Sequence, residues 1–125
     1  MSNTKIIAVD FDGCLVVDEY PKIGSPKDKV VEFVRQAQKD GYKLILWTCR
    51  HTHLLREAVM FCEDELGIVF DAINENLQEI IDKYGGRAYG GDSRKVFADI
   101  YLDDKALNPY MLHGDKLLGF MNENN

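Results

Sequence analysis

The residues with the clearest chemical potential are two aspartates that follow a short apolar run. Residues 6–9 are apolar throughout, which is typical of a strand buried on both faces of a parallel sheet. Side chains two residues apart in an extended chain point to the same side, so Asp10 and Asp12 can face one point. Gly13 then lets the backbone turn away. Two converging carboxylates repel each other and call for a cation or a shared proton, although a polar turn at a strand end is the simpler alternative.

Two further apolar runs also end in polar residues. Residues 42–47 are followed by Thr48, and residues 98–102 are followed by Asp103 and Asp104. If these runs are parallel strands of one sheet, their carboxyl ends lie at the same edge, where ligands bind in open α/β folds. The sequence therefore predicts that several acids and one hydroxyl converge at that edge.

Helical patterns separate the predicted strands. Ser25-Pro26 predicts the start of a helix that runs to about Asp40 and ends at Gly41. A second helix is predicted over residues 52–66. The other predicted elements are a flap over 16–24, a third strand over 68–73, a short helix over 77–84, an exposed loop over 85–92, a helical turn over 93–97 and a small strand or turn within 106–120. Strands that alternate with helices indicate an α/β fold with a mainly parallel sheet.

Length and composition limit the class of protein. The chain has 125 residues, of which 46% are hydrophobic and 29% charged, as expected for one globular domain over residues 1–125. The net charge of −6 argues against general nucleic-acid binding. No apolar run reaches membrane-spanning length, and no membrane partner is expected. The three cysteines lack metal-binding spacing and are expected to be reduced thiols in a cytoplasmic protein.

The predicted cluster of acids points to phosphoryl transfer. Oxygen ligands without His or Cys suit Mg²⁺, which commonly bridges carboxylates and a phosphate. Thr48 offers a hydroxyl, and Lys95 offers an ammonium, with Lys105 as its alternative. Arg50 is a candidate for phosphate or substrate contact, because a guanidinium forks onto phosphate oxygens. The expected partner is therefore a phosphorylated substrate, whose identity the sequence leaves open.

With these residues in order along the chain, the sequence resembles the haloacid dehalogenase-like (HAD) superfamily of phosphohydrolases. The four motifs of the resemblance read Asp10-Phe-Asp-Gly13, Leu44-Ile-Leu-Trp-Thr48, Lys95 and Leu102-Asp-Asp104. It covers nearly the whole chain and implies a Rossmann-like three-layer sandwich. The stretches between motifs are too short for a cap domain, so the small capless members are the most similar.

The resemblance implies a role for each acid. Asp10 would attack phosphorus and form an aspartyl-phosphate, and Asp12 would protonate the leaving oxygen and then activate water. Mg²⁺ would be held by the Asp10 carboxylate, the main-chain carbonyl of Asp12 and one of the final acids. Asp104 is favoured as the direct ligand and Asp103 as a water-mediated one, although the adjacent pair leaves this open.

The resemblance also implies roles for two other residues. Thr48 would hydrogen-bond a phosphoryl oxygen, and Lys95 would offset negative charge on Asp10 and the phosphate. The chain departs from the family pattern at Cys14, where Thr or Val is usual. Cys14 is expected to be a small apolar residue and not a catalytic thiol.

Two other functions remain open at this stage. One is a receiver-like signalling domain, which also uses clustered acids, Thr, Lys and Mg²⁺, but the only acid at a middle strand is Asp71. The other is a binding protein without turnover on the same fold. A homo-oligomer, in which a neighbouring copy covers the site, is also compatible with the sequence.

Overall fold

The apolar run at residues 6–9 forms a strand at the centre of the main sheet. The computed structural model describes residues 5–111. The strands are β1 (Ile6–Val9), β2 (Val16–Glu19), β3 (Lys22–Pro26), β4 (Lys43–Leu46), β5 (Ala72–Ile73) and β6 (Ile100–Leu102). The helices are α1 (Asp28–Lys39), α2 (Thr52–Phe61) and α3 (Gln78–Lys83), with a π-helical turn at Cys62–Leu66 and 3₁₀ turns at Arg87–Tyr89 and Pro109–Met111.

Four of these strands form one parallel sheet in the order β5-β4-β1-β6. β1 pairs with β4 on one side and with β6 on the other, and every pairing in this sheet is parallel. The predicted α/β fold with a parallel sheet is therefore confirmed. Because the strands are parallel, their carboxyl ends lie at the same edge of the sheet. The residues that follow these ends therefore lie at that edge, among them Asp10 after β1, Thr48 after β4 and Asp103 after β6.

Alternate side chains of β1 belong to two different clusters of buried residues. Ile7 and Val9 pack with side chains of α1 and α2, whereas Ile6 and Ala8 pack with Leu77 and side chains of α3. This alternation is the two-residue period of a strand whose two faces are both covered by apolar groups. It explains why residues 6–9 are apolar without interruption.

The segment between β1 and α1 forms a hairpin of β2 and β3, which are antiparallel. The first helix was predicted to begin at Ser25-Pro26, and that boundary is wrong, because α1 begins at Asp28. Pro26 instead ends β3, where it is paired with Val16. A proline is tolerated at such an edge position because it does not need to donate a hydrogen bond there.

Two predicted strands are shorter in the structure. Of residues 68–73 only β5 pairs, and residues 98–102 pair only from Ile100 onward. Asp99 lies just before β6, where its carboxylate accepts the Ile6 N–H at 2.8 Å. The Asp99 N–H also donates to the Ile6 carbonyl at 2.8 Å, so Asp99 is held to β1 by one side-chain and one main-chain bond although it lies before the paired strand.

The other boundaries agree closely with the sequence patterns. The helix predicted over residues 52–66 is formed by α2 and the π-helical turn, and it ends at Gly67, which has a φ of 69°. No helical turn forms at residues 93–97. The prediction for residues 106–120 is met within the described chain by the 3₁₀ turn Pro109–Met111, and its remainder lies outside the described residues.

Between β1 and α1, and again between α3 and β6, the chain forms only a hairpin or short turns, and no cap domain occurs in these two described segments. No described helix has the length and apolar character that crossing a membrane requires.

Candidate active site

Three acids meet at the carboxyl edge of the sheet. Asp10 follows β1, and Asp103 and Asp104 follow β6, the neighbouring strand. One carboxylate oxygen from each residue lies within 4.8 Å of the others. The Asp10 N–H donates to the Leu102 carbonyl at 3.0 Å, which holds the two strand ends side by side. The structure thus brings together three of the four acids that the sequence singled out.

The electrostatics of Asp10 reflect this crowding. The pKa of Asp10 is raised from 3.8 to about 7. Burial is the largest cause, and the nearby negative charges of Asp103 and Asp104 contribute in the same direction. The Phe11 N–H, which donates to Asp10 Oδ1 at 2.8 Å, acts in the opposite direction. Without a cation the cluster therefore resists full ionisation.

Gly13 is required for this close approach. Its φ is 83°, a conformation that glycine adopts readily and other residues adopt at a cost. A Cβ placed on Gly13 would lie 2.4 Å from Asp104 Oδ2, inside van der Waals contact. The glycine therefore lets the loop after β1 turn and leaves space for an acid from the end of β6.

The donor set of the cluster fits Mg²⁺. All three side chains are carboxylates, and hard divalent cations prefer oxygen ligands. The three oxygens lie within 4.8 Å of one another, a wider spacing than the roughly 4 Å between opposite ligands of Mg²⁺, so the carboxylates would have to draw together around the ion. The raised pKa of Asp10 adds an energetic reason for a cation to bind here.

Asp12 lies apart from this cluster and contacts Arg50 instead. Arg50 is 1% exposed, and its Nε donates to Asp12 Oδ2 at 2.8 Å. Its Nη2 donates to Asp12 Oδ1, also at 2.8 Å. The pair is bidentate, so both carboxylate oxygens of Asp12 accept a hydrogen bond from one guanidinium.

The remaining donors of Arg50 also have protein acceptors. Nη2 donates to the Lys22 carbonyl at 3.0 Å, and Nη1 donates to the carbonyls of Pro21 at 3.2 Å and Leu54 at 3.5 Å. A guanidinium has five N–H donors, and these contacts use all five. Arg50 was predicted to contact phosphate or substrate, but in this conformation all of its N–H donors are bonded to protein acceptors.

Thr48 lies where the sequence placed it, at the end of β4. Its Oγ1 accepts the Arg50 N–H at 3.1 Å, and its own N–H donates to Asn74 Oδ1 at 2.8 Å. These two bonds fix the residue, and its hydroxyl proton can be donated to a ligand.

Lys95 is not among the residues that line the open cavity next to Asp10 and Thr48. Its ammonium lies 5.3 Å from the centroid of the Tyr101 ring. The Tyr101 hydroxyl donates to the Val96 carbonyl at 2.6 Å, which keeps this segment against β6. Lys105, the alternative, does border the cavity, and its Nζ lies 3.8 Å from Asp104 Oδ2.

An open cavity of about 740 Å³ adjoins these groups. It is lined by Asp10, Asp12, Asp18, Tyr20, Trp47, Thr48, Cys49, Arg50, Asn74, Asp103 and Lys105. Its walls therefore come from the β2–β3 hairpin and from the segments that follow β1, β4, β5 and β6.

Comparison with solved structures shows which proteins this chain resembles. No family model matches the chain, and no curated protein matches it. A solved structure of a conserved protein coded by a locus of Bacteroides thetaiotaomicron is 33% identical, with a TM-score of 0.68. The match covers 98% of this chain and 93% of that one. The chain belongs to the family of that conserved protein. Membership of this family supports the fold of the chain but does not identify a reaction.

One basic group near the site, the Lys27 ammonium, was not among the predicted residues, whereas Cys14 is buried as expected of a small apolar residue. Lys27 Nζ donates to the Gly13 carbonyl at 2.8 Å and so places an ammonium beside the loop after β1. Burial raises the pKa of the Cys14 thiol to about 12, and nearby Asp10 contributes in the same direction. The Lys27 contact spans fourteen residues of chain through a long side chain, and no local pattern signals it.

Proposed function

We propose that the protein is a Mg²⁺-dependent phosphatase that hydrolyses phosphomonoesters through an aspartyl-phosphate on Asp10. The observation that carries the proposal is the meeting of Asp10, Asp103 and Asp104 within 4.8 Å at the carboxyl edge of the sheet. The finer description of the fold as a Rossmann-like, HAD-like three-layer sandwich without a cap belongs to the same proposal. The motif order and the covered faces of β1 support it.

The proposed reaction has two steps. An oxygen of Asp10 attacks phosphorus, and the bond from phosphorus to the leaving oxygen breaks while Asp12 gives that oxygen a proton. Water then attacks the phosphorus of the aspartyl-phosphate, Asp12 takes a proton from the water, and Asp10 is released with inorganic phosphate. Asp12 must turn one oxygen from Arg50 toward the substrate, or share it, to do so.

The metal would be held by the carboxylates of Asp10 and Asp104, with Asp103 through water or in exchange with Asp104, and by the main-chain carbonyl of Asp12. When bound, Mg²⁺ supplies positive charge that offsets the clustered acids and draws the phosphate to them. The raised pKa of Asp10 supports this assignment.

Two further residues complete the proposed site. The Thr48 hydroxyl donates to a phosphoryl oxygen from a position fixed by its bonds to Arg50 and Asn74. Lys105 borders the cavity and supplies the ammonium in this conformation, whereas Lys95 would have to leave the Tyr101 ring to do so.

A second candidate is a domain that binds Mg²⁺ and phosphate without turnover, as in a receiver-like signalling role. The observation that favours it is the full engagement of Asp12 by Arg50, since an acid with both oxygens occupied is a poor proton donor. Both candidates share the metal site and differ in turnover.

The test is phosphate release from a generic aryl phosphate, with Mg²⁺ and with EDTA. We expect release by the wild type with Mg²⁺ and at least a 100-fold loss in Asp10→Asn, because the nucleophile is removed. The matched control is Asp64→Asn, an exposed aspartate in the π-helical turn, which should behave as the wild type.

The outcomes separate the candidates. If Mg²⁺ binds but neither wild type nor control releases phosphate across aryl, nucleotide and sugar phosphates, the binding role replaces the phosphatase. Activity that persists in Asp10→Asn rules out the proposed nucleophile.

A further inference from the structure

We propose that Arg50 is a positioning residue that joins Asp12 to the tip of the β2–β3 hairpin, so that the general acid and this cavity wall move together. The inference rests on the proposed function for its catalytic meaning. The contact itself is a property of the fold and can be tested without turnover.

Arg50 fixes the geometry of Asp12. Two parallel N–H bonds of 2.8 Å fix the carboxylate in both position and plane. A planar fork restrains rotation of a carboxylate in a way that a single donor cannot. Arg50 therefore fixes the position from which Asp12 turns or shares one oxygen to reach a substrate, while the other oxygen stays bonded to the guanidinium.

The other side of the guanidinium contacts the tip of the hairpin. Its Nη1 and Nη2 donate to the carbonyls of Pro21 and Lys22, which form the hairpin tip. The guanidinium carbon also lies 5.2 Å from the centroid of the Tyr20 ring. Three successive hairpin residues are thus held by the same side chain that holds Asp12.

Burial of Arg50 makes its hydrogen bonds depend on one another. Arg50 is 1% exposed, and a buried guanidinium is costly unless its donors are satisfied. All of its acceptors come from Asp12, the hairpin tip and Leu54. Opening the hairpin removes two of these acceptors, so a displacement of the hairpin disturbs the bonds to Asp12.

The hairpin also faces the substrate. Asp18 and Tyr20 line the cavity together with Asp10 and Asp12. A bound phosphomonoester that contacts the hairpin would therefore influence Asp12 through Arg50. This arrangement gives the capless site a means of coupling occupancy of the cavity to the alignment of its acid.

The catalytic test uses substrates that depend differently on proton donation. Phenyl phosphate has a poor leaving group and needs the general acid, whereas 4-nitrophenyl phosphate has a good one and needs it little. We expect Arg50→Met to lose about 10-fold to 100-fold in kcat on phenyl phosphate, part of the roughly 10²–10⁴-fold that a general acid supplies. Its loss on 4-nitrophenyl phosphate should stay below about threefold, and Arg50→Lys should recover part of the difference.

Two comparisons exclude a merely structural effect. Asp12→Asn and the double variant Asp12→Asn/Arg50→Met should have the same kcat on phenyl phosphate, because Arg50 acts through Asp12. Arg56→Met, in an exposed residue of α2, should match the wild type on both substrates. Equal losses on the two substrates, or additive losses in the double variant, would overturn the positioning role.

The second test is hydrogen exchange of the amides of residues 16–26, measured with Mg²⁺ absent. We expect exchange to be about 10-fold faster in Arg50→Met, and faster also in Asp12→Asn, because either change weakens the link. Unchanged exchange in both variants overturns the inference. If Arg50→Met does not fold, Arg50→Lys serves in both tests, since it keeps the charge but has three donors.

The two tests also separate this inference from the proposed function. A wild type without phosphatase activity would refute the function, and exchange would then decide the link between Asp12 and the hairpin by itself. An active wild type whose Arg50 variants keep both leaving-group dependence and hairpin exchange would refute only the inference.

Discussion

Close packing at the acid cluster depends on one glycine. Asp104 can approach Asp10 only because Gly13 has no side chain, since a Cβ there would meet Asp104 Oδ2 at 2.4 Å. Gly13 also has a positive φ, as does Gly41 after α1, where nothing lies within 4 Å of an added Cβ. Both glycines have a positive φ, but only at Gly13 would an added Cβ collide with a neighbouring side chain.

We therefore predict different effects of alanine at these two positions. Gly13→Ala and Gly41→Ala should each lower the free energy of unfolding by about 1–2 kcal/mol, because of the left-handed conformation. Only Gly13→Ala should weaken Mg²⁺ binding, by about 10-fold or more, because it displaces Asp104. Urea unfolding and calorimetric titration with Mg²⁺ measure the two quantities. Equal Mg²⁺ affinity in both variants would contradict the role assigned to Gly13.

Among the elements, the connection from α3 to β6 has little regular structure and is fixed by a side chain. Asn76 is 4% exposed and lies three residues after β5. Its Nδ2 donates to Asp92 Oδ1 at 3.3 Å and to the Ser93 carbonyl at 3.1 Å, and its Oδ1 accepts the Phe97 N–H at 2.7 Å. One amide thus holds residues 92–97 in place before the chain enters β6.

Asn76→Ala should destabilise the protein by about 2–3 kcal/mol, since it removes the three hydrogen bonds of this buried amide. The matched control is Asn108→Ala, an exposed asparagine that accepts the Tyr110 N–H at 2.9 Å and should change stability by less than about 0.5 kcal/mol. Urea unfolding monitored by tryptophan fluorescence gives both values. A loss in Asn76→Ala no larger than that of the control would show that the connection is held by other contacts.

The same connection shows where sequence patterns predict elements poorly. The helical turn expected at residues 93–97 is absent because the Phe97 N–H and the Ser93 carbonyl, which would bond each other in an α-helical turn, both bond the Asn76 side chain instead. The start of α1 was misplaced for a similar reason, since Pro26 is paired with Val16 in the hairpin. β1, by contrast, was predicted to its ends, because burial on both faces leaves a continuous apolar run.

For the molecule as a whole, we expect the acid cluster to link stability to pH and, if Mg²⁺ binds as proposed, to metal. The pKa of Asp10 is raised from 3.8 to about 7 in the folded protein. Between these values the folded protein retains a proton that the unfolded chain has lost. Stability of the metal-free protein should therefore fall as pH rises from about 4 to about 7.

We predict that Asp10→Asn removes part of this dependence. In EDTA at pH 8 the variant should be more stable than the wild type by on the order of 1–2 kcal/mol, less than the full pKa shift would give, because Asp10 is partly exposed. Urea unfolding at several pH values between about 4 and about 8 measures how the free energy of unfolding of each protein depends on pH.

Mg²⁺ should also raise the Tm of the wild type more at pH 8 than at pH 5, because it binds the ionised cluster. It should leave the Tm of Asp10→Asn nearly unchanged. In the urea experiment, a wild-type slope of unfolding free energy against pH equal to that of Asp10→Asn would show that folding does not change the pKa of Asp10.

The sequence by itself determined the parallel sheet and the acids at its edge. A continuous apolar run is typical of a strand buried on both faces. When such strands are parallel, the residues that come after them lie at one edge of the sheet. It also determined the list of candidate residues, because residue type and order along the chain are local information. The roles of those residues as a phosphatase remain a proposal.

Only the tertiary structure decided which partners the long side chains reach. Arg50 and Lys95 were both expected beside phosphate, yet one is buried against Asp12 and the other lies on the Tyr101 ring. Long flexible side chains can contact groups far away in the chain, and the choice depends on which acceptors the fold places within reach. The separation of Asp12 from the other acids follows from the same cause, since Arg50 binds it from 38 residues away.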